Sequence, residues 1–170
     1  MARNVIFCPT LAGDIGEGET GLANFNDSSC EEVPFWKLDP QQRQIWVKAT
    51  LNVTDTLLAS EKPLGVFVWA KASSEVFLNG QRIGQNGTPA SDKDGEIPGR
   101  MDAVFYAPRD LIRSGENEII IRMSSQHGFI HFAQPVHFIA LGEYANPTSM
   151  ILAAIWPSLI PFGALIAGAL

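Results

Sequence analysis

Residues 45–53 alternate in character. Ile45, Val47, Ala49, Leu51 and Val53 are separated by Trp46, Lys48, Thr50 and Asn52. Successive side chains of a strand point to opposite faces, so this period of two predicts a strand with one buried face. Residues 64–70 form a continuous apolar run instead, which suits a strand buried on both faces. Between Glu75 and Gly84, two short apolar runs flank Asn79-Gly80. A type I′ hairpin turn needs positive φ at both central residues, which Asn and Gly accept. Further strands are predicted over 101–106, 118–123 and 136–141, with one helical turn opened by Pro108 and a turn at Ser114-Gly-Glu-Asn117. Phe35-Trp36-Lys37-Leu38 reads as a short extended piece stopped by Asp39-Pro40. A long polar loop occupies 86–99. Residues 1–34, with Gly13, Gly16, Gly18 and Gly21 among small polar residues, read as an irregular leader. Many short strands, regular turns, no long amphipathic helix and no internal repeat predict an all-β sandwich.

The last 21 residues break this pattern. From Met150 to Leu170, 16 residues are hydrophobic and none is charged; the last charge in the chain is Glu143. As a helix the segment would be roughly 31 Å long, close to the apolar thickness of a bilayer. Pro157 and Pro161 are better tolerated in a membrane helix than in a soluble one. The expectation is a first membrane helix over 148–170, and a chain that continues beyond it. A buried core helix, or a sticky tail cut out of a larger protein, is the alternative. The amino terminus has one basic residue and only three consecutive apolar ones before Cys8, too little for a secretory signal.

Composition bounds the remaining classes. The chain has 170 residues, 46% hydrophobic and 18% charged, with a net charge of −6. That is enough for one domain with a core. The acidic balance, with no basic cluster, argues against a nucleic-acid partner. Cys8 and Cys30 are the only cysteines. A disulfide between them, on the oxidising side of a membrane, is expected; two free thiols are the alternative. Three sequons, at Asn26, Asn52 and Asn86, matter only in a eukaryotic secretory route.

No catalytic constellation stands out. The chain lacks a Gly-x-Ser-x-Gly elbow, a phosphate-binding glycine loop and a zinc-helix motif. It is therefore read as a non-enzyme in this fragment, with no cofactor and no metal. His127 and His131 would lie about 13 Å apart along a strand, beyond the reach of one ion. Asp92-Lys-Asp94-Gly95-Glu96 begins like a calcium loop, but the twelfth position counted from Asp92 is Ala103, where such a loop needs Glu. Trp69 sits in an apolar run and is expected in the core; Trp36 and Trp46 are less committed. The candidate site is a rim built from the 86–102 loop and the 124–131 segment. Its candidate ligand-binding residues are Asn86, Arg100, Asp102, Ser125 and His127. Arg100 offers a planar fork for carboxylate or hydroxyl pairs, or pairs with Asp102 to pin the loop. Ser and His supply hydrogen bonds on a rigid scaffold.

Three stretches carry a family resemblance: Ala72-Ser-Ser-Glu-Val-Phe-Leu-Asn-Gly-Gln-Arg-Ile-Gly84, Tyr106-Ala-Pro-Arg-Asp-Leu-Ile112 and Ser114-Gly-Glu-Asn-Glu-Ile-Ile-Ile-Arg122. In this order they resemble the galactose-binding-like jelly roll, over roughly residues 45–142. That sandwich stands beside the catalytic barrel of β-galactosidases and β-glucuronidases, where it is non-catalytic. It also serves as an extracytoplasmic sensor. A jelly roll followed at once by an apolar helix is similar to the sensor region of seven-transmembrane receptors with diverse intracellular signalling modules, and of related histidine kinases and diguanylate cyclases. The resemblance implies a sensor domain over 35–143 in the periplasm, an inner-membrane anchor, and a small-molecule ligand of carbohydrate-like chemistry, with a homodimer left open. Two other readings stand beside it: a carbohydrate-binding accessory domain of a membrane-anchored glycoside hydrolase, and a structural interaction domain.

Overall fold

The computed structural model describes residues 4–9, 22–128, 130–146, 148 and 149. Nine strands are formed: β1 (Asn4–Pro9), β2 (Glu31–Pro34), β3 (Gln44–Val53), β4 (Leu64–Ala70), β5 (Ser73–Leu78), β6 (Gln81–Asn86), β7 (Ala103–Ala107), β8 (Gly115–Ser124) and β9 (Val136–Glu143). They make two antiparallel sheets, one ordered β2-β1-β3-β8-β5-β6 and the other β7-β4-β9. The inward residues of β3 are those the alternation picked out, and Ile45, Val47, Ala49, Leu51 and Val53 are all buried. They pack with Val66, Val68, Val76, Ile119, Ile121 and Ile139 in the main core. In β4, the faces of Val66 and Phe67 are both buried, whereas Trp69 is only half-buried and stacks at 5.6 Å on Phe138. The result is an all-β sandwich that fits a galactose-binding-like jelly roll.

The leader is not irregular throughout. β1 inserts between β2 and β3, with Val5 and Cys8 buried. It escapes sequence detection because its six residues, Asn-Val-Ile-Phe-Cys-Pro, have no clean alternation, and its register comes from β3. β2 (Glu31–Pro34) is a second strand within the leader, and residues 1–3 and 10–21 lie outside the described residues. Phe35–Lys37 is a 3-10 turn rather than an extended piece. Asp55–Ala59 forms a short helix, α1, capped by the Thr54 hydroxyl, which accepts from the Leu57 amide. The apolar segment 150–170 also lies outside the described residues. Among those described, no helix is long and apolar enough to cross a membrane.

Cys8 and Cys30 are joined by a disulfide. Its role follows from what lies on the outer face of the larger sheet. Trp46 and Ile120 point away from the main core, yet both are buried. Leu22, Ala23 and Phe25 cover them in a second apolar cluster that contains Cys8 and Cys30. The bridge thus clamps a stretch without regular structure over a large indole, burial worth roughly 1.5–3 kcal/mol per large side chain.

The resemblance motifs prove to be locks on the fold. Asn79 (φ 49°) and Gly80 (φ 87°) make the two-residue hairpin. Asn79 Oδ1 accepts from the Glu118 amide at 2.9 Å, and its Nδ2 donates to the Leu111 carbonyl at 2.6 Å and to Asn117 Oδ1 at 2.9 Å. Asn117, 0% exposed, closes its own turn by donating to the Arg113 and Gly115 carbonyls and accepting from the Arg113 amide. Arg109 donates to the carbonyls of Leu58, Ser60 and Lys62, gathering the connection between α1 and β4. At the end of β9, Lys62 Nζ and Ser60 donate to Glu143, holding its carboxyl below the usual carboxylate range. The Tyr144 amide donates to the Pro63 carbonyl at 2.7 Å.

Two outcomes are expected. The unreduced chain has an intact mass two hydrogens below the reduced one, and reduction lowers the unfolding free energy by about 3 kcal/mol, the loop-closure value for a separation of 22 residues. Asn117→Ala takes from the Asn79 side chain one of its two acceptors and removes the side-chain partner of the Arg113 amide and of the Arg113 and Gly115 carbonyls. It lowers stability by about 3 kcal/mol in urea denaturation, with the slope unchanged.

Candidate functional site

The loop after β6 is held in one shape. Thr88 and Ile97 exchange backbone hydrogen bonds at 2.8 and 3.0 Å. The crossing leaves no room for side chains at its glycines. A Cβ on Gly87 (φ 70°) would sit 2.2 Å from the Ile97 carbonyl oxygen, and one on Gly99 would sit 2.5 Å from that of Asn86. Asn86 spends its amide on the loop: Nδ2 donates to the Arg100 carbonyl at 2.7 Å, and Oδ1 accepts from the Arg100 amide at 2.8 Å. Asp92 accepts from the Gly95 amide at 2.7 Å and tightens the tip.

Glu96 anchors this loop to the sheet. It is 5% exposed. One carboxylate oxygen accepts from the hydroxyls of Ser73 (3.0 Å) and Ser124. The other accepts from the amides of Gln126 (2.8 Å) and His127 (3.2 Å). A buried carboxylate without donors would be severely unfavourable, so these four bonds decide where the loop lies. The Ala90 amide donates to Ser124 Oγ, and Gln126 Nε2 donates to the Ala90 carbonyl. His127 Nε2 faces the carbonyls of Lys93 (3.0 Å) and Glu96 (3.3 Å). Both are acceptors, so the ring carries a proton on Nε2.

Two cavities flank residues 98–102. The larger, of about 550 Å³, is lined by Asn86, Arg100, Asp102, Phe105, Tyr144 and Thr148, among others. The smaller, of about 340 Å³, is lined by Lys71, Glu96, Ser125, His127, Ile130 and Phe132, among others. Met101 borders both and is 53% exposed. In the smaller cavity, Lys71 Nζ lies 4.1 Å from the centre of the Phe132 ring and donates to the Ile130 carbonyl. Gln41 fixes Phe132 by bonding both its amide and its carbonyl.

The five sequence-predicted residues therefore divide. Asn86, Arg100 and Asp102 line the larger cavity; Ser125 and His127 line the smaller. The two loops do meet, but through Glu96. Ser125 is buried and bonded through its backbone to Pro40 and Gln42. The pairing of Arg100 with Asp102 is not formed: among the described residues, no ion pair involves either. Asp102 instead sits at φ 58°, with Oδ1 buried and without a hydrogen-bond partner among the described residues. It thus combines a left-handed backbone, which aspartate adopts more readily than most residues, with a buried acceptor that lacks a donor there. His131 lies 3.9 Å from Asp39. No cluster of three metal-ligating side chains occurs among the described residues.

Sequence reasoning met Glu96 only as the end of the calcium-like run from Asp92 and missed its anchoring role. It also missed Tyr144 and Thr148, which follow the last strand.

Glu96→Ala is expected to lower stability by about 3 kcal/mol, as buried donors lose a charged acceptor. Glu96→Gln is expected to lower it by about half as much. The Ser73 hydroxyl can turn its proton to the Ser124 carbonyl, 3.0 Å away, and accept from the new amide, whereas the backbone donors cannot turn. Urea denaturation of both variants checks the order.

No family model and no curated protein matches the chain. Solved structures do. A β-glucuronidase of an uncultured Clostridium species is similar at TM-score 0.51 and 12% identity, over 73% of this chain and 21% of that one. A glycosyl hydrolase family 2 member from Bacteroides cellulosilyticus is similar at TM-score 0.50 and 12% identity, over 86% of this chain and 20% of that one. The β-glucuronidase of Bifidobacterium dentium is similar at TM-score 0.50 and 14% identity, over 73% of this chain and 19% of that one. The chain thus spans about a fifth of the length of these enzymes, and at such identities the likeness is one of fold.

Proposed function

We propose that this chain is a non-catalytic jelly-roll module that binds a small sugar-like polyol in the larger cavity. The observation that carries the reading is Asp102, with its left-handed backbone and a buried carboxylate oxygen that has no donor among the described residues. Hydroxyl groups of a ligand would supply that donor. Arg100 lines the same cavity with a guanidinium that makes no ion pair among the described residues. It donates where Asp102 accepts, and a polyol needs both. A volume near 550 Å³ falls in the range of small-molecule sites. The fold's likeness to sandwiches of glycoside hydrolases agrees with a carbohydrate-binding accessory role. The disulfide fits work on the oxidising side of a membrane.

The test is calorimetric titration with D-glucose, D-galactose and D-glucuronate in turn, on the wild type, Arg100→Ala and Asp102→Asn. Asparagine accepts left-handed backbone, so the second variant keeps the loop. The expected result is saturable binding of at least one probe, weakened ten- to a hundredfold in each variant, with Tm within about 2 °C of wild type. No saturable binding, or binding indifferent to both substitutions, would overturn the reading.

A further inference from the structure

The smaller cavity, about 340 Å³, has apolar walls and two spare donors. Met101 (53% exposed), Ile130 (54%) and Phe132 (38%) line it. Three large apolar side chains so exposed around one hollow are unusual on a single domain unless something binds there. The Phe132 wall is preset, because the buried Gln41 bonds both its backbone groups at 2.7 and 2.9 Å. Most polar groups of the lining are engaged. Four donors occupy the two Glu96 oxygens. The Ser73 hydroxyl bonds Glu96 and Ser124, and His127 Nε2 faces two carbonyls. Two groups are left over. Ser125 is 7% exposed, yet its hydroxyl has no hydrogen-bond partner among the described residues. Lys71 Nζ donates to the Ile130 carbonyl at 2.8 Å and pairs with no carboxylate among the described residues. These two donors flank one spot. Gly128 has no side chain, and a Cβ there would lie 3.4 Å from Lys71 Nζ and 3.4 Å from Ser125 Oγ.

We propose that the smaller cavity is a second ligand site, for a small carboxylate with an apolar body, such as an arylacetate. Its carboxylate sits over Gly128 between Lys71 and Ser125, and its body lies against Met101, Ile130 and Phe132. An ammonium group and a hydroxyl can both donate, whereas a carboxylate only accepts, so the two sides are complementary. A neutral apolar ligand would cover both donors without pairing them, which costs affinity. Phosphate or sulfate would press charged oxygens against the apolar walls. Glu96 borders the same space, but its acceptor positions are taken by the four donors already named, so it offers nothing to a ligand cation. The volume lies at the lower end of the range for small-molecule sites. This site stands apart from the sugar site, sharing the Met101 border but none of the groups that would hold the sugar.

The experiment is calorimetric titration of the full chain in lipid nanodiscs, with empty nanodiscs as the blank. The probes are phenylacetate, acetate and 2-phenylethanol. The variants are Lys71→Met, Gly128→Ala and Arg100→Ala. Gly128→Ala is the sharpest, because the added methyl makes ordinary contact with its neighbours and fills the carboxylate's place. The expected result is saturable binding of phenylacetate, about tenfold weaker binding of 2-phenylethanol and none of acetate. Lys71→Met and Gly128→Ala bind phenylacetate at least about tenfold more weakly. Gly128→Ala keeps its Tm within about 2 °C of wild type, and Arg100→Ala binds as the wild type does. Absence of saturable phenylacetate binding overturns the inference. So does undiminished binding by Gly128→Ala, which remains decisive if Lys71→Met fails to fold. Binding lost in Arg100→Ala places the probe in the larger cavity and overturns it as well.

Discussion

The side of the sandwich that bears the cavities depends on one buried carboxylate. Glu96 comes from the middle of a polar loop, far from any regular strand, yet it is nearly inaccessible and accepts four hydrogen bonds. Two of its donors are serines at the facing ends of β5 and β8; the other two are backbone amides just past β8. The arrangement is directional, because backbone donors cannot rotate, and it is unforgiving, because each donor lost leaves a buried charge less compensated. The loop therefore has one position. From that position follow the turn at Gly99, the left-handed backbone of Asp102, and the division of the surrounding space into two cavities.

The constraints below this level are of another kind. Asn79, Arg109 and Asn117 hold turns and connections by satisfying backbone groups. They lie in the stretches that carry the resemblance, and none of them lines either cavity. The likeness to solved glycoside hydrolases, at identities near 12%, is likewise one of fold and leaves ligand chemistry open. The larger cavity draws on different residues, Arg100, Asp102 and Tyr144 among them. Clamping the 22–30 stretch by a disulfide over Trp46 seals the opposite face of the larger sheet, leaving the loops free to diverge.

Legibility in the sequence followed the range of the interaction. β3 and the Asn79-Gly80 hairpin were readable because alternation and turn chemistry are local properties. β1 was not, because a strand of six residues takes its register from a neighbour 44 positions away in sequence, as Val5 opposite Ala49 illustrates. Arg100 and Asp102 were singled out by their place at a loop's end, and both line the larger cavity. His127 and Ser125 were grouped with them by composition alone, whereas the fold gives them to loop anchorage and to a separate cavity. Glu96 could not be distinguished from Asp92 or Asp94 by pattern. Its burial depends on hydroxyls and amides contributed from 23 to 31 residues away.

Native-state hydrogen exchange of the Gln126 amide tests the dependence on Glu96 most directly. That amide lies beyond the end of β8 and has the Glu96 carboxylate as its acceptor. If the carboxylate fixes the loop, Gln126 exchanges within about tenfold of core amides such as that of Ile121, opening only with the sandwich. Exchange near the rate of an unstructured peptide, with Ile121 still protected, would mean that the loop opens on its own, and would contradict the account.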